Sequence, residues 1–166
     1  FQDEASKVFR WFKNKPNLTG AKADLATVEY ETENLIPGVH VLNGHNSRSY
    51  AVMGNIGYPI EIPNEEQVLG DLRRLLRCHL VLEFGIGELD FQASREGLSY
   101  IPLTVESIKK KLELVNARLT TYVAEEADKI ENEWERSYFL YQKCRLDLYS
   151  AAIMEYVRSE EHTSEL

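Results

Sequence analysis

The chain has 166 residues, 43% hydrophobic and 28% charged, a composition ordinary for one domain large enough to bury a core. Its formal charge of −8 argues against a broad basic surface, and so against nucleic acid as a partner. No run approaches the roughly 18 apolar residues needed to cross a bilayer.

Residues 3–14 place Ala5, Val8, Phe9 and Phe12 on one side of a helix, which Pro16 and Gly20 then stop. Val28 to Ile60 reads as β, with Asn43-Gly44 as the strongest turn signal because glycine tolerates a positive φ. Gly54, Gly57 and Pro59 predict a bulge and a strand end rather than one long regular strand. Pro63 and Asn64 open a helical stretch carrying Val68, Leu72, Leu75 and Leu76, and His79 to Leu89 returns to strand character.

After a polar turn, Thr104 is the expected N-cap of a long helix. Val105, Ile108, Leu112, Val115, Leu119 and Val123 recur at helical spacing and form one apolar stripe. Ile130, Trp134, Tyr138, Tyr141 and Leu148 form a second stripe, on the same long helix after a bend or on the second member of a helical pair. The aromatic side chains of that stripe are expected to pack in a core or an interface rather than to cage a ligand. The expected fold class is therefore α+β, a mixed sheet packed against helices and followed by a long helix or helical pair. Arg158 to Leu166 reads RSEEHTSEL, resembles a translated sequencing-library adapter, and is expected to be a non-native tail. It holds one Arg and three Glu, so the charge without it moves by two, from −8 to −6.

Cys78 and Cys144 lie far apart, form no CxxC pair and fit a reduced compartment. His40, His45, His79 and His162 have no zinc-ligand spacing with each other or with the cysteines, so no metal site is expected. Lys109, Lys110 and Lys111 read as a solvated helix face. No GxSxG marks a nucleophile and no GxxxxGK[ST] phosphate loop is present. FGIGEL carries a GxG, but Asp90 stands where a dinucleotide fingerprint needs its third glycine. Asp90 and Glu96 are better read as capping or solvated carboxylates than as a catalytic acid and base.

The run ASREGLSY differs in kind. Ser94 can accept hydrogen bonds from the backbone N–H groups of a short helix and so fix the turn, and Glu96 can hold the neighbouring guanidinium or backbone. Arg95 then presents five donors in a planar fork suited to phosphate oxygens. Composition alone favours the plainer reading, a capped turn with a surface arginine.

The run GELDFQASREGLSYIPLTVESIKKKLELV resembles the second-domain segment of GHKL-type ATPases, where a strand leads to a Ser-Arg-Glu turn and a long helix. With SYAVMGNIGYPI before it and VFRWFKNKPNLTG at the start, the ordered series resembles the phage rIIA-like family, over most of residues 8–120. The resemblance implies an exit helix at residues 1–20, a transducer domain of the ribosomal S5 domain 2-like type at 21–120, and a helical extension at 121–157. By the same resemblance, Arg95 would reach the γ-phosphate of ATP on an upstream GHKL domain, supported by Ser94 and Glu96. ATP and Mg would sit on that upstream domain, with no catalytic residue and no bound cofactor in these residues themselves. The implied role is coupling of ATP state to domain rearrangement in lysis control and protection from prophage exclusion. The setting would be the host bacterial cytoplasm, with the inner membrane face a candidate peripheral site and a homodimer a candidate assembly. The alternative expectation is a non-enzymatic scaffold or interaction module using Trp134, Tyr138 and Tyr141. A topoisomerase or mismatch-repair transducer is disfavoured, because those relatives use lysine where Arg95 stands.

Overall fold

The computed structural model describes residues 8–12, 14–16, 28–43 and 48–164, the side chains of 31–34 and 161–164 excepted. The fold is α+β and divides into two compact units, residues 1–110 and 111–166. The boundary between the units falls inside one continuous helix.

The first unit is built on a five-stranded mixed sheet in the order β1-β2-β5-β3-β4. Its strands are β1 (Tyr30–Ile36), β2 (Val39–Leu42), β3 (Tyr50–Met53), β4 (Ile56–Pro59) and β5 (Leu80–Phe84). Only the β3/β5 pairing is parallel. Ile36 pairs with Val39 across Pro37-Gly38, where proline presets the first turn position and Gly38 takes the positive φ of 73° that the second requires. Met53 pairs with Ile56, so Gly54, at φ 67°, occupies the first position of a two-residue hairpin turn. The expected bulge at Gly54 and Gly57 is thus a hairpin. Gly44 of the expected Asn43-Gly44 turn lies outside the described residues.

β5 is central, and Leu80, Val81 and Leu82 are all buried, as a strand covered on both faces requires. The segment before it is the short helix α1 (Glu65–Leu69) followed by 3₁₀ turns over Gly70–Arg77, which bury Leu69, Leu75 and Leu76. Ser49, also buried, donates its hydroxyl proton to the Leu76 carbonyl at 2.8 Å and accepts from the Leu80 N–H at 2.9 Å. One side chain therefore joins the end of the 3₁₀ run to the start of the central strand.

Near the start of the chain the structure corrects the expected helix face. Of that helix only Val8 and Phe9 are helical among the described residues, Val8 is exposed, and Phe9 and Phe12 are half-buried. Trp11 is the buried residue, 9% exposed, packed with Val52 and Val81. Its indole lies against Gly57, where an added Cβ would come within 2.3 Å of the ring.

The second unit is helical. The long helix α2 (Pro102–Asp128) crosses the boundary and buries Ile108, Leu112, Val115, Leu119, Val123 and Ala127 as one stripe. It is followed by α3 (Glu133–Cys144) and α4 (Asp147–Ser164), so the expected helix or helical pair is three helices. Asn132 caps α3 by accepting from the Trp134 and Glu135 N–H groups. The backbone of residues 158–164, part of the expected non-native tail, continues α4 as helix.

Candidate functional site

The run around Arg95 folds as a hairpin of its own. β6 (Asp90–Phe91) pairs antiparallel with β7 (Leu98–Ser99), Asp90 opposite Ser99 and Phe91 opposite Leu98. The Gln92 N–H continues the ladder to the Gly97 carbonyl at 3.0 Å, and the Arg95 N–H closes an inner turn on the Gln92 carbonyl at 2.8 Å. Closing that turn puts Arg95 at φ 59°, in the left-handed region that favours glycine.

The base of the hairpin is fixed on three sides. Thr104 Oγ1 accepts from the Asp90 N–H at 2.9 Å. The Phe91 ring lies 5.0 Å from that of Tyr58 in β4. The Tyr100 hydroxyl accepts from the Glu61 N–H at 2.6 Å, and burial raises its pKa above the ordinary phenol value. Leu89 and Leu98 are buried beneath these contacts. Thr104 is thus not the helix cap that its spacing predicts. α2 begins two residues earlier, at Pro102, which suits a first helical position because its missing N–H would have no partner there.

The tip is open. Gln92 through Glu96 are exposed, and among the described residues nothing bonds or ion-pairs the Arg95 guanidinium. Ser94 does not cap a short helix, since none forms there; its hydroxyl accepts from the Glu96 N–H at 3.4 Å, the long limit of a hydrogen bond. Glu96 forms no salt bridge to Arg95 among the described residues. The structure brings Ser94, Arg95 and Glu96 together on one exposed tip, with the two flanking residues shaping the turn rather than holding the guanidinium.

The GxG segment before the hairpin is a second tight turn. Glu88 closes it by accepting from the Gly85 N–H at 2.6 Å, and Gly87 takes φ 91°. Ile86 is left 93% exposed at its tip. Among the described residues no group of three or more His, Cys, Asp or Glu side chains could hold a metal ion. His40 sits 3.5 Å from Glu83 and stacks on Tyr30, Cys78 is buried and Cys144 exposed; His45 and the side chain of His162 lie outside the described residues.

In the helical unit Leu148 of the second stripe is buried, but its aromatic residues do not pack in a core. Trp134, Tyr138 and Tyr141 do share one face of α3, but they are 73%, 53% and 63% exposed, and no residue of α3 is buried. The Trp134 and Tyr138 rings stack on each other at 5.7 Å and 5°. Helical spacing identified the face without revealing that none of the described residues covers it. The residue sequence reasoning missed here is Arg145, which keeps helical dihedrals (φ −69°, ψ −15°) and continues the aromatic face. Its place four residues after Tyr141 was the available signal.

No helix among the described residues is long and apolar enough to cross a membrane. Comparison with protein-family models, curated proteins and solved structures found no match for this chain.

Proposed function

We propose that this chain is the transducer module of a phage rIIA-like GHKL-type ATPase, coupling ATP state to domain rearrangement in the control of host lysis and protection from prophage exclusion. The observation that carries the reading is Arg95 at the tip of an anchored hairpin, exposed and without a partner among the described residues. A guanidinium in this state can give its donors to a phosphate brought to it, and the fixed hairpin base limits the ordering cost of that contact. The left-handed backbone supports the same reading: a non-glycine residue there costs roughly 1–2 kcal/mol, and such outliers concentrate at functional sites. The resemblance carried by the ordered series of motifs from VFRWF to KLELV supports the choice of family.

In this reading Arg95 contacts the γ-phosphate of ATP on a GHKL domain elsewhere in the longer protein, made while that phosphate is present and lost on its release. Ser94 and Glu96 shape the turn that presents it. ATP and Mg belong to that domain, the setting is the host cytoplasm, and the inner membrane face is a peripheral station. In the complete protein, Arg95→Ala should weaken nucleotide-dependent closure or ATPase activity by about 1–3 kcal/mol, the scale of a lost charge-assisted hydrogen bond. Unchanged ATP hydrolysis with alanine at position 95 would remove the proposed role.

The open aromatic face of α3 favours a second reading for the helical unit alone, as an interaction surface whatever the first unit does.

A further inference from the structure

The face of α3 has a definite direction. Lys143, on the opposite side of the helix, lies 5.0 Å from the Tyr149 ring and 5.7 Å from the Tyr122 ring, and Arg136 lies 3.6 Å from Glu160. These contacts turn that side toward α2 and α4 and leave Trp134, Tyr138, Tyr141 and Arg145 pointing outward. The outward face is also self-complementary in its spacing. Trp134 and Arg145 lie equally far from the point midway between Phe139 and Leu140, and so do Tyr138 and Tyr141. A two-fold axis through that point would set each Trp134 against the partner's arginine and each Tyr138 against the partner's Tyr141.

We infer that α3 pairs antiparallel with α3 of a second copy of this chain, through Tyr138–Tyr141 contacts flanked by two Arg145–Trp134 cation–π contacts. This rests on the reading of that face as an interaction surface and names its partner. Charge selects the antiparallel direction. Glu133 and Glu135 flank Trp134 at the N-terminal end of α3 and Arg145 follows its C-terminal end, so antiparallel pairing brings opposite charges near each other while parallel pairing sets carboxylates beside carboxylates. Antiparallel helices also oppose their dipoles. Tryptophan is the best aromatic partner for a guanidinium, and the stack with Tyr138 leaves its second indole face free for one.

The size of the patch sets the strength. An aromatic side chain buries about 150–250 Å² when fully covered, and these three are half to three-quarters open. Two such faces together remove on the order of 600–900 Å², below the roughly 1,200 Å² of a stable specific interface. The pairing is weak and concentration-dependent.

Sedimentation velocity on the 166-residue chain, from about 1 to about 300 µM, tests it. The expected result is a reversible monomer–dimer equilibrium in that range. Each contact is made twice in a two-fold dimer, so Arg145→Glu and Tyr138→Ser should each weaken dimerisation about tenfold or more. Ile86→Ser, an exposed apolar control in the other unit, should leave it unchanged. Neither α3 substitution touches a buried position, and an unaltered circular dichroism melt confirms that the fold is kept. In a Cys144→Ser background, a mixture of Tyr138→Cys and Tyr141→Cys chains should form more interchain disulfide than either alone. A monomer at every concentration overturns the self-pairing yet leaves the face open to a different protein. A dimer indifferent to both α3 substitutions, or equal cross-linking by each cysteine variant alone, overturns it as well.

Discussion

Thr104 Oγ1 accepts a hydrogen bond from the Asp90 backbone N–H at 2.9 Å, tying the first residue of the Arg95 hairpin to the first turn of α2. Thr104 is fully buried, and the bond it makes to the exposed Asp90 is partly shielded from water. Thr104→Val keeps the shape and removes the oxygen. It should cost about 1–2 kcal/mol in urea unfolding, the scale of a donor left unsatisfied. It should also speed amide exchange at Asp90, with little change in the β1–β5 sheet.

Gly57 is the seat of Trp11, and a Cβ there would lie 2.3 Å from the ring. Arg10 stacks over the same indole at 4.6 Å and over Tyr50 at 5.0 Å, so the residues around Trp11 are clasped to β3 and β4 together. Gly57→Ala should displace the indole and destabilise the fold by about 1–3 kcal/mol. The chain has two tryptophans, so in a Trp134→Phe background the Trp11 emission should shift to the red.

Tyr156 joins the end of α2 to α4. Its hydroxyl lies 2.9 Å from Asp128 Oδ1 and 3.2 Å from Glu160 Oε1, and its single proton serves one carboxylate at a time. Burial first, then the two carboxylates, push its pKa from 10.0 up to about 12. Folding therefore favours the neutral phenol. That stabilisation is complete below pH 10, the unfolded value, and is lost as pH rises through about 12. Tyr156→Phe should flatten the stability profile between those two values while lowering stability at neutral pH by about 0.5–1.5 kcal/mol. A phenol absorbance titration of the folded chain, with and without the substitution, gives the shifted group directly.

Arg95 holds φ 59° without being glycine. Arg95→Gly should leave stability unchanged or raise it by up to about 1 kcal/mol, because glycine adopts that backbone freely. Arg95→Val should cost about 1–2 kcal/mol, since a branched side chain resists the left-handed region. Equal stabilities for the two variants would show that the tip does not hold this conformation in solution.

The stripe from Ile108 to Val123 was legible because a buried helix face repeats at a fixed interval, and every one of those residues that the interval selects beyond Val105 is fully buried. The same interval gave Trp134, Tyr138 and Tyr141 correctly as a face but did not decide between a core and an interface, because periodicity carries no information about what lies opposite. Trp11 was hidden for a related reason: its receptor is the missing side chain of Gly57 on another strand, and an absence has no pattern. Pro37-Gly38 was readable as a turn from its own chemistry and was passed over for Asn43-Gly44. Thr104 was misread because a hydroxyl at a helix start usually caps it, whereas Pro102 already fixes the first turn and frees Thr104 to hold Asp90. The polar tip was plain in the residues Gln92 to Glu96. That it would stand on its own two-stranded base was not, since β6 and β7 have two residues each, too few to show alternation.

The central claim is that Arg95 senses a terminal phosphate, and the direct measurement is the affinity of the complete protein for ATP and for ADP, with arginine or alanine at position 95. The account predicts that Arg95→Ala weakens ATP binding by about 5–150-fold, equivalent to about 1–3 kcal/mol, and leaves ADP binding alone. Equal ATP affinity in the two proteins, or an equal loss for both nucleotides, would contradict it.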